Sequence, residues 1–220
     1  MKSLITSITL ITLIIFSNFV YCQSVYRNSM GFKVSFDDTW KRLPKEVFQT
    51  KMQHIKDYLE QTKDVHYEAC FQKVDNADMS YPYILFKNLY MTTSNDDEIS
   101  KLTVSLKDFF DNNGGIDKVI TEIENEKIDI DLEMNKIYFD KKNKLLIFTY
   151  DMDVSIIGNL VSLNAIRFGK SGSLKIYCYS YKDEFKYDQK EFLDIIYSIK
   201  DVGMQTKMSD YVTNHNKAIN

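Results

Sequence analysis

LVSLNAIRF (Leu160–Phe168), GKSG (Gly169–Gly172) and SLKIYCYSY (Ser173–Tyr181) follow one another without a break. Two strand-like runs joined by a glycine-bounded tight turn read as a β-hairpin, and this reading decides the fold. Upstream of it a period of two continues through Ile128, Ile130 and Leu132, then Lys136–Asp140, then Leu145–Val154 after the turn Lys141, Lys142, Asn143. The C-terminal half is therefore expected to be an antiparallel sheet, because strands joined by short turns pair antiparallel.

Helices are expected on either side of these strands. A last helix over Gln189–Ile199 would bury Phe192, Ile195, Ile196 and Ile199, and residues 201–220 are polar, aperiodic and read as a flexible tail. Near the start, Phe32, Val34 and Phe36 alternate with Lys33 and Ser35 as a half-buried strand, and Trp40 follows the turn at Asp37–Thr39. Pro44 suits the first turn of a helix running to about Lys63, with the stripe Phe48, Met52, Ile55, Leu59. Tyr67–Val74 and Tyr83–Tyr90 then read as a hairpin around the polar stretch Asp75–Ser80. Ser94–Glu98 offers caps to a second helix with the stripe Ile99, Leu102, Leu106, Phe109, which ends at Asn112–Gly115. A third, shorter helix uses Ile116, Val119, Ile120 and Ile123. The sum is an α+β domain, a central antiparallel sheet flanked by helices in an α/β/α layering.

The 220 residues fit one domain, and 44% hydrophobic content offsets the entropy of ordering the chain. With 7 Gly and 2 Pro, long flexible linkers are not expected. The net charge of −3 comes from interspersed lysines and acids, with no basic concentration to neutralise phosphates, so nucleic acid is excluded as an expected partner.

No residue between Lys2 and Arg27 is charged, and Leu4–Val20 is an apolar run behind one positive charge, the pattern of a secretory signal over residues 1–22. Cys22 and Val20 meet the small-residue requirement for cleavage before Gln23, leaving a single domain over 23–200 that is periplasmic or extracellular. A membrane attachment is expected only if Cys22 is lipidated or the segment stays as an anchor. Large Tyr21 just before Cys22 argues against the first, and scattered Ser and Thr against the second. Cys70 and Cys178 would then be the thiols left in an oxidising compartment, either as a disulfide or, the preferred reading, as two small buried strand residues.

Tyr26, GFKVSF at 31–36 and Trp40, together with FLDIIYSIK at 192–200, resemble the PsbP-like (DcrB-like) families of exported proteins. Phe192, Ile195, Ser198 and Ile199 match the closing Ile-x-x-Ser-apolar signature, while Asp37 stands where the opening turn carries Pro. The resemblance implies a central antiparallel sheet between helical layers over residues 26–200, and a non-catalytic accessory or binding role.

Candidate chemistry is sparse. His54, His66 and His215 have no ligand-like spacing, so no metal or other cofactor is expected. Asp129, Asp131 and Glu133 would share one strand face and could meet a hard cation, but a solvated face explains them more simply. Gly169-Lys170-Ser171 lacks the earlier glycine of a phosphate loop, since Asn164 stands there, and no helix follows. Tyr177, Tyr179 and Tyr181 share a strand face, and with Tyr81, Tyr83 and Tyr90 could form an aromatic patch for a partner; core packing is the plainer reading. No catalytic residue stands out. The expectation is an exported, non-catalytic accessory or binding protein of the cell envelope with an unidentified protein or small-molecule partner. A small-molecule or lipid carrier with an aromatic-lined pocket comes second, and an exported hydrolase third.

Overall fold

The structure, a computed structural model, describes residues 24–58, 66–91, 95–111, 130–154 and 157–203. The N-terminal apolar segment with Cys22, the third expected helix, the end of the first beyond Tyr58, and the chain after Gly203 lie outside these residues. The described elements are β1 (Ser24–Arg27), β2 (Phe32–Phe36), β3 (Trp40–Arg42), α1 (Lys45–Tyr58), β4 (Ala69–Lys73), β5 (Tyr83–Leu89), α2 (Asp96–Asp111), β6 (Ile130–Asp140), β7 (Leu145–Val154), β8 (Gly158–Phe168), β9 (Ser173–Tyr181), α3 (Phe185–Tyr197) and β10 (Lys200–Asp201). The fold is α+β. A seven-stranded sheet runs β3-β4-β5-β9-β8-β7-β6, and a smaller one runs β1-β2-β10, with antiparallel pairing throughout.

One face of the long sheet carries Phe71, Ile84, Phe86, Leu163, Ala165, Leu174 and Ile176. They pack against Phe32, Val34 and Phe36 of the small sheet and Phe192, Ile195 and Ile196 of α3, so a second sheet shares this face with the helix. Phe36 stacks on Phe71 with ring centroids 4.0 Å apart, which fastens sheet to sheet. Glu191 of α3 accepts a hydrogen bond from the Trp40 indole at 2.7 Å and pairs with Lys73, whose ammonium lies over the indole ring. On the opposite face, α1 buries Phe48 beside Cys70 and Leu85, and α2 buries Ile99 against Leu146, Phe148, Ile166 and Phe168. The two helices cover different ends of this face. No helix among the described residues is long and apolar enough to cross a membrane.

Three details depart from the sequence reading. The segments expected around Ile128–Leu132 and Lys136–Asp140 are one strand, β6, whose register against β7 shifts between Met134 and Lys136. Asn135 is the extra residue of that bulge, and its amide donates to Asp151 at 2.6 Å. Helix α3 begins at Phe185 rather than Gln189; no side chain caps it at Glu184, so the usual start signal is missing. The domain also runs past residue 200, because Asp201 pairs with Phe32 and its carboxylate accepts N–H groups from Lys170 and Gly203.

The turn between β8 and β9 depends on close packing. A Cβ on Gly169 would stand 2.6 Å from Cζ of Phe32, a ring buried between the sheets. Gly169→Ala is therefore expected to cost about 1–3 kcal/mol of stability, as overpacked cores do. Denaturant unfolding of the variant beside the native protein measures it, and an unchanged midpoint would contradict the contact.

Candidate ligand-binding site

Strand β8 turns Leu163 and Ala165 to the α3 side and Ser162, Asn164 and Ile166 to the other, as a period of two requires. The register extends these into three cross-strand rows. Tyr150, Ser162, Tyr179 and Tyr83 form one; Phe148, Asn164, Tyr177 and Leu85 the next; Leu146, Ile166, Lys175 and Lys87 the third. Small polar residues on β8 thus lie between aromatic rings on β7 and β9.

The tyrosines form a continuous run. Tyr67 meets Tyr177 edge-on at 5.7 Å, Tyr177 lies parallel to Tyr179 at 6.4 Å, and Tyr179 meets Tyr83 at 5.1 Å. Tyr83 then stacks on Tyr81 at 5.0 Å, and Tyr81 meets Tyr181 edge-on at 4.9 Å. Burial raises the Tyr67 hydroxyl to about 12 and pushes those of Tyr83, Tyr177 and Tyr179 upward as well. At neutral pH all four are protonated and can donate hydrogen bonds.

Ser162 and Asn164 are fully buried beneath these rings. The Asn164 amide donates to the Ser162 hydroxyl at 2.8 Å, but its carbonyl oxygen has no partner among the described residues. Such an orphaned acceptor costs about 1–3 kcal/mol. Lys175 Nζ lies 4.4 Å from the Tyr177 ring centroid and 5.9 Å from that of Phe148, the two rings that flank Asn164. It therefore reaches across β8 above this amide. Lys87 stands directly opposite Lys175 on β5, an arrangement of like charges that destabilises a sheet. Neither lysine makes an ion pair among the described residues. Burial first, then the Lys87 charge, lowers the Lys175 ammonium to about 8.

Of the tyrosines singled out in the sequence, Tyr81, Tyr83, Tyr177, Tyr179 and Tyr181 come together, whereas Tyr90 is 92% exposed and stands apart. Tyr67, Tyr150, Asn164, Lys87 and Lys175 join them unannounced. The period-two spacing of Lys175 from Tyr177 was a usable signal; the others needed the strand order. Cys70 and Cys178 are free and buried. They pair with Leu85 and Ile84, adjacent residues of β5, so they lie on opposite faces of the sheet with a strand between them, and no bridge forms. Trp40 is buried in the core and tied to Glu191. His66 is exposed ahead of β4, the His54 side chain is not described, and His215 lies beyond Gly203. Asp129 and the Asp131 side chain are likewise outside the description, and Glu133 is exposed. No group of three or more metal-ligating side chains occurs among the described residues.

Two measurements follow from these environments. Because the native Lys175 binds its proton more weakly than the ordinary lysine value of 10.5, the unfolded chain holds more protons between pH 8 and 10.5. Stability is expected to rise with pH from 8 towards 10, and Lys175→Met to flatten that rise; above pH 10 the buried tyrosines oppose it, since the unfolded chain then releases their protons first. Burial lifts the Cys70 thiol to about 12 and also raises that of Cys178. Iodoacetamide at pH 8 should leave both unmodified in the folded protein and label both in denaturant, as intact mass will register.

No protein-family model and no curated protein matches the sequence. Among solved structures, the chain is similar to the cyanobacterial PsbP protein CyanoP from Synechocystis sp. PCC 6803. The TM-score is 0.46 at 9% identity, over 82% of this chain and 93% of that one. It is also similar to a protein of unknown function, PA94, from Pseudomonas aeruginosa, with a TM-score of 0.36 at 5% identity over 80% and 94% of the two chains.

Proposed function

We propose that the chain is an exported, non-catalytic binding protein of the cell envelope, and that it binds at the tyrosine-lined face between α1 and α2. Export rests on Lys2, the uncharged run Leu4–Val20 and the small residues Val20 and Cys22 ahead of Gln23. Binding rests above all on Asn164, a buried amide set between the Phe148 and Tyr177 positions whose oxygen has no partner among the described residues. A core built for packing alone would put an aliphatic residue there.

The same observation favours a small-molecule carrier over an accessory role towards another protein. Asn164 and Ser162 have no exposed surface. A flat protein partner would not touch them, but a small ligand entering between the rings would. The protein recovered from its native source is expected to begin at Gln23 and, under native mass spectrometry, to retain a bound molecule that denaturation releases. A chain beginning at Met1 in the cytosol would remove the export claim. A clean apo mass combined with co-purification of one stoichiometric protein would replace the carrier with the accessory module.

A further inference from the structure

Resting on the carrier reading, we infer that the ligand is a small aromatic carboxylate bearing a hydrogen-bond donor next to its carboxyl group. Its carboxylate would lie between Lys87 and Lys175, its donor on the Asn164 oxygen, and its ring among Tyr177, Tyr179 and Phe148.

Three independent features converge on this chemistry. The first is charge: Lys87 and Lys175 are directly opposed, half-buried and without an acid among the described residues. An anion between them would turn a repulsive pair into two charge-assisted hydrogen bonds. The second is the orphaned oxygen of Asn164, which only a donor can satisfy; an anion by itself would worsen its position. Since the Lys175 ammonium reaches over the rings on both sides of Asn164, donor and anion must be neighbours on the ligand. The third is the walls. The rings of β7 and β9 stand two strand spacings apart, roughly 10 Å between backbones, so a planar body can enter once the side chains spread.

Among the described residues, the groups beside Lys175 are Lys87 on β5, Tyr177 on its own strand and Phe148 on β7, with Tyr67 and Tyr150 next to Tyr177; β8 offers Ser162, Asn164 and Ile166, and α2 presents Ile99 and Leu102 to this end of the sheet. Lysine is the titrating group here near neutral pH, so affinity for an anion should fall as pH rises through 8.

Mandelate carries all three features, phenylacetate lacks the donor, and mandelamide lacks the charge. Calorimetric titration of the mature protein at pH 7 is expected to rank mandelate first, with each of the other two weaker by about tenfold or more. Lys175→Met should abolish the preference for mandelate over mandelamide and the fall in affinity between pH 7 and 9, with thermal melting showing the variant folded. Asn164→Leu, a second route, should abolish the preference for mandelate over phenylacetate. Equal binding of mandelate and mandelamide to the native protein overturns the inference and leaves the carrier reading standing. The same holds if none of the three binds while native mass spectrometry retains a ligand without a carboxylate. If no probe binds and no ligand is retained, both fall together.

Discussion

Everything described depends on the register between β8 and β9, from Leu160 opposite Tyr181 to Phe168 opposite Ser173. Side chains alternate strictly on a strand, so a slip of one residue would send Leu174, Ile176 and Cys178 towards the helices and the tyrosines and Lys175 into the core against α3. The tight turn holds this register from one end. Gly169 touches Phe32 and the Lys170 N–H is fixed by Asp201, so the hairpin is keyed to the small sheet as well as to its own strands. The two faces of the long sheet can therefore differ in kind. One is an aliphatic and phenylalanine core, and the other mixes helix-covered apolar ends with a polar aromatic middle.

That difference is why the binding proposed above is assigned to the side of α1 and α2. The α3 side is closed by aromatic stacking between sheets and by the Trp40, Glu191 and Lys73 contact. Among the described residues, its buried polar atoms without a partner are the Tyr26 hydroxyl and guanidinium nitrogens of Arg167 near its margins. On the other side, between the ends covered by α1 and α2, polar groups are collected and left incompletely paired. The stability given up there, in a like-charge pair and an orphaned amide, is what one expects where a sheet is shaped for a ligand rather than for packing.

Much of the fold was legible because it is written in short periods. The β8–β9 and β4–β5 hairpins, the long strand β7 and the helices α1 and α2 follow from alternation, capping residues and turn glycines. Asn135 hid the continuity of β6, since one extra residue reverses the alternation. The start of α3 was hidden by the missing cap at Glu184, and β10 by being two residues long. The site was less legible for a different reason. Tyr177, Tyr179 and Tyr181 could be placed on one face from spacing alone, but Lys87 and Tyr83 reach that face only because β5 lies beside β9 in the sheet. That pairing joins strands far apart in sequence, and no local pattern encodes it.

The two thiols carry one more implication. They are sealed on opposite sides of a sheet and joined to nothing, so no disulfide links the described residues. The described part of the molecule coheres through packing, hydrogen bonds and a few ion pairs such as Lys73 with Glu191. Oxidising or reducing surroundings therefore find no disulfide within the described residues to form or open.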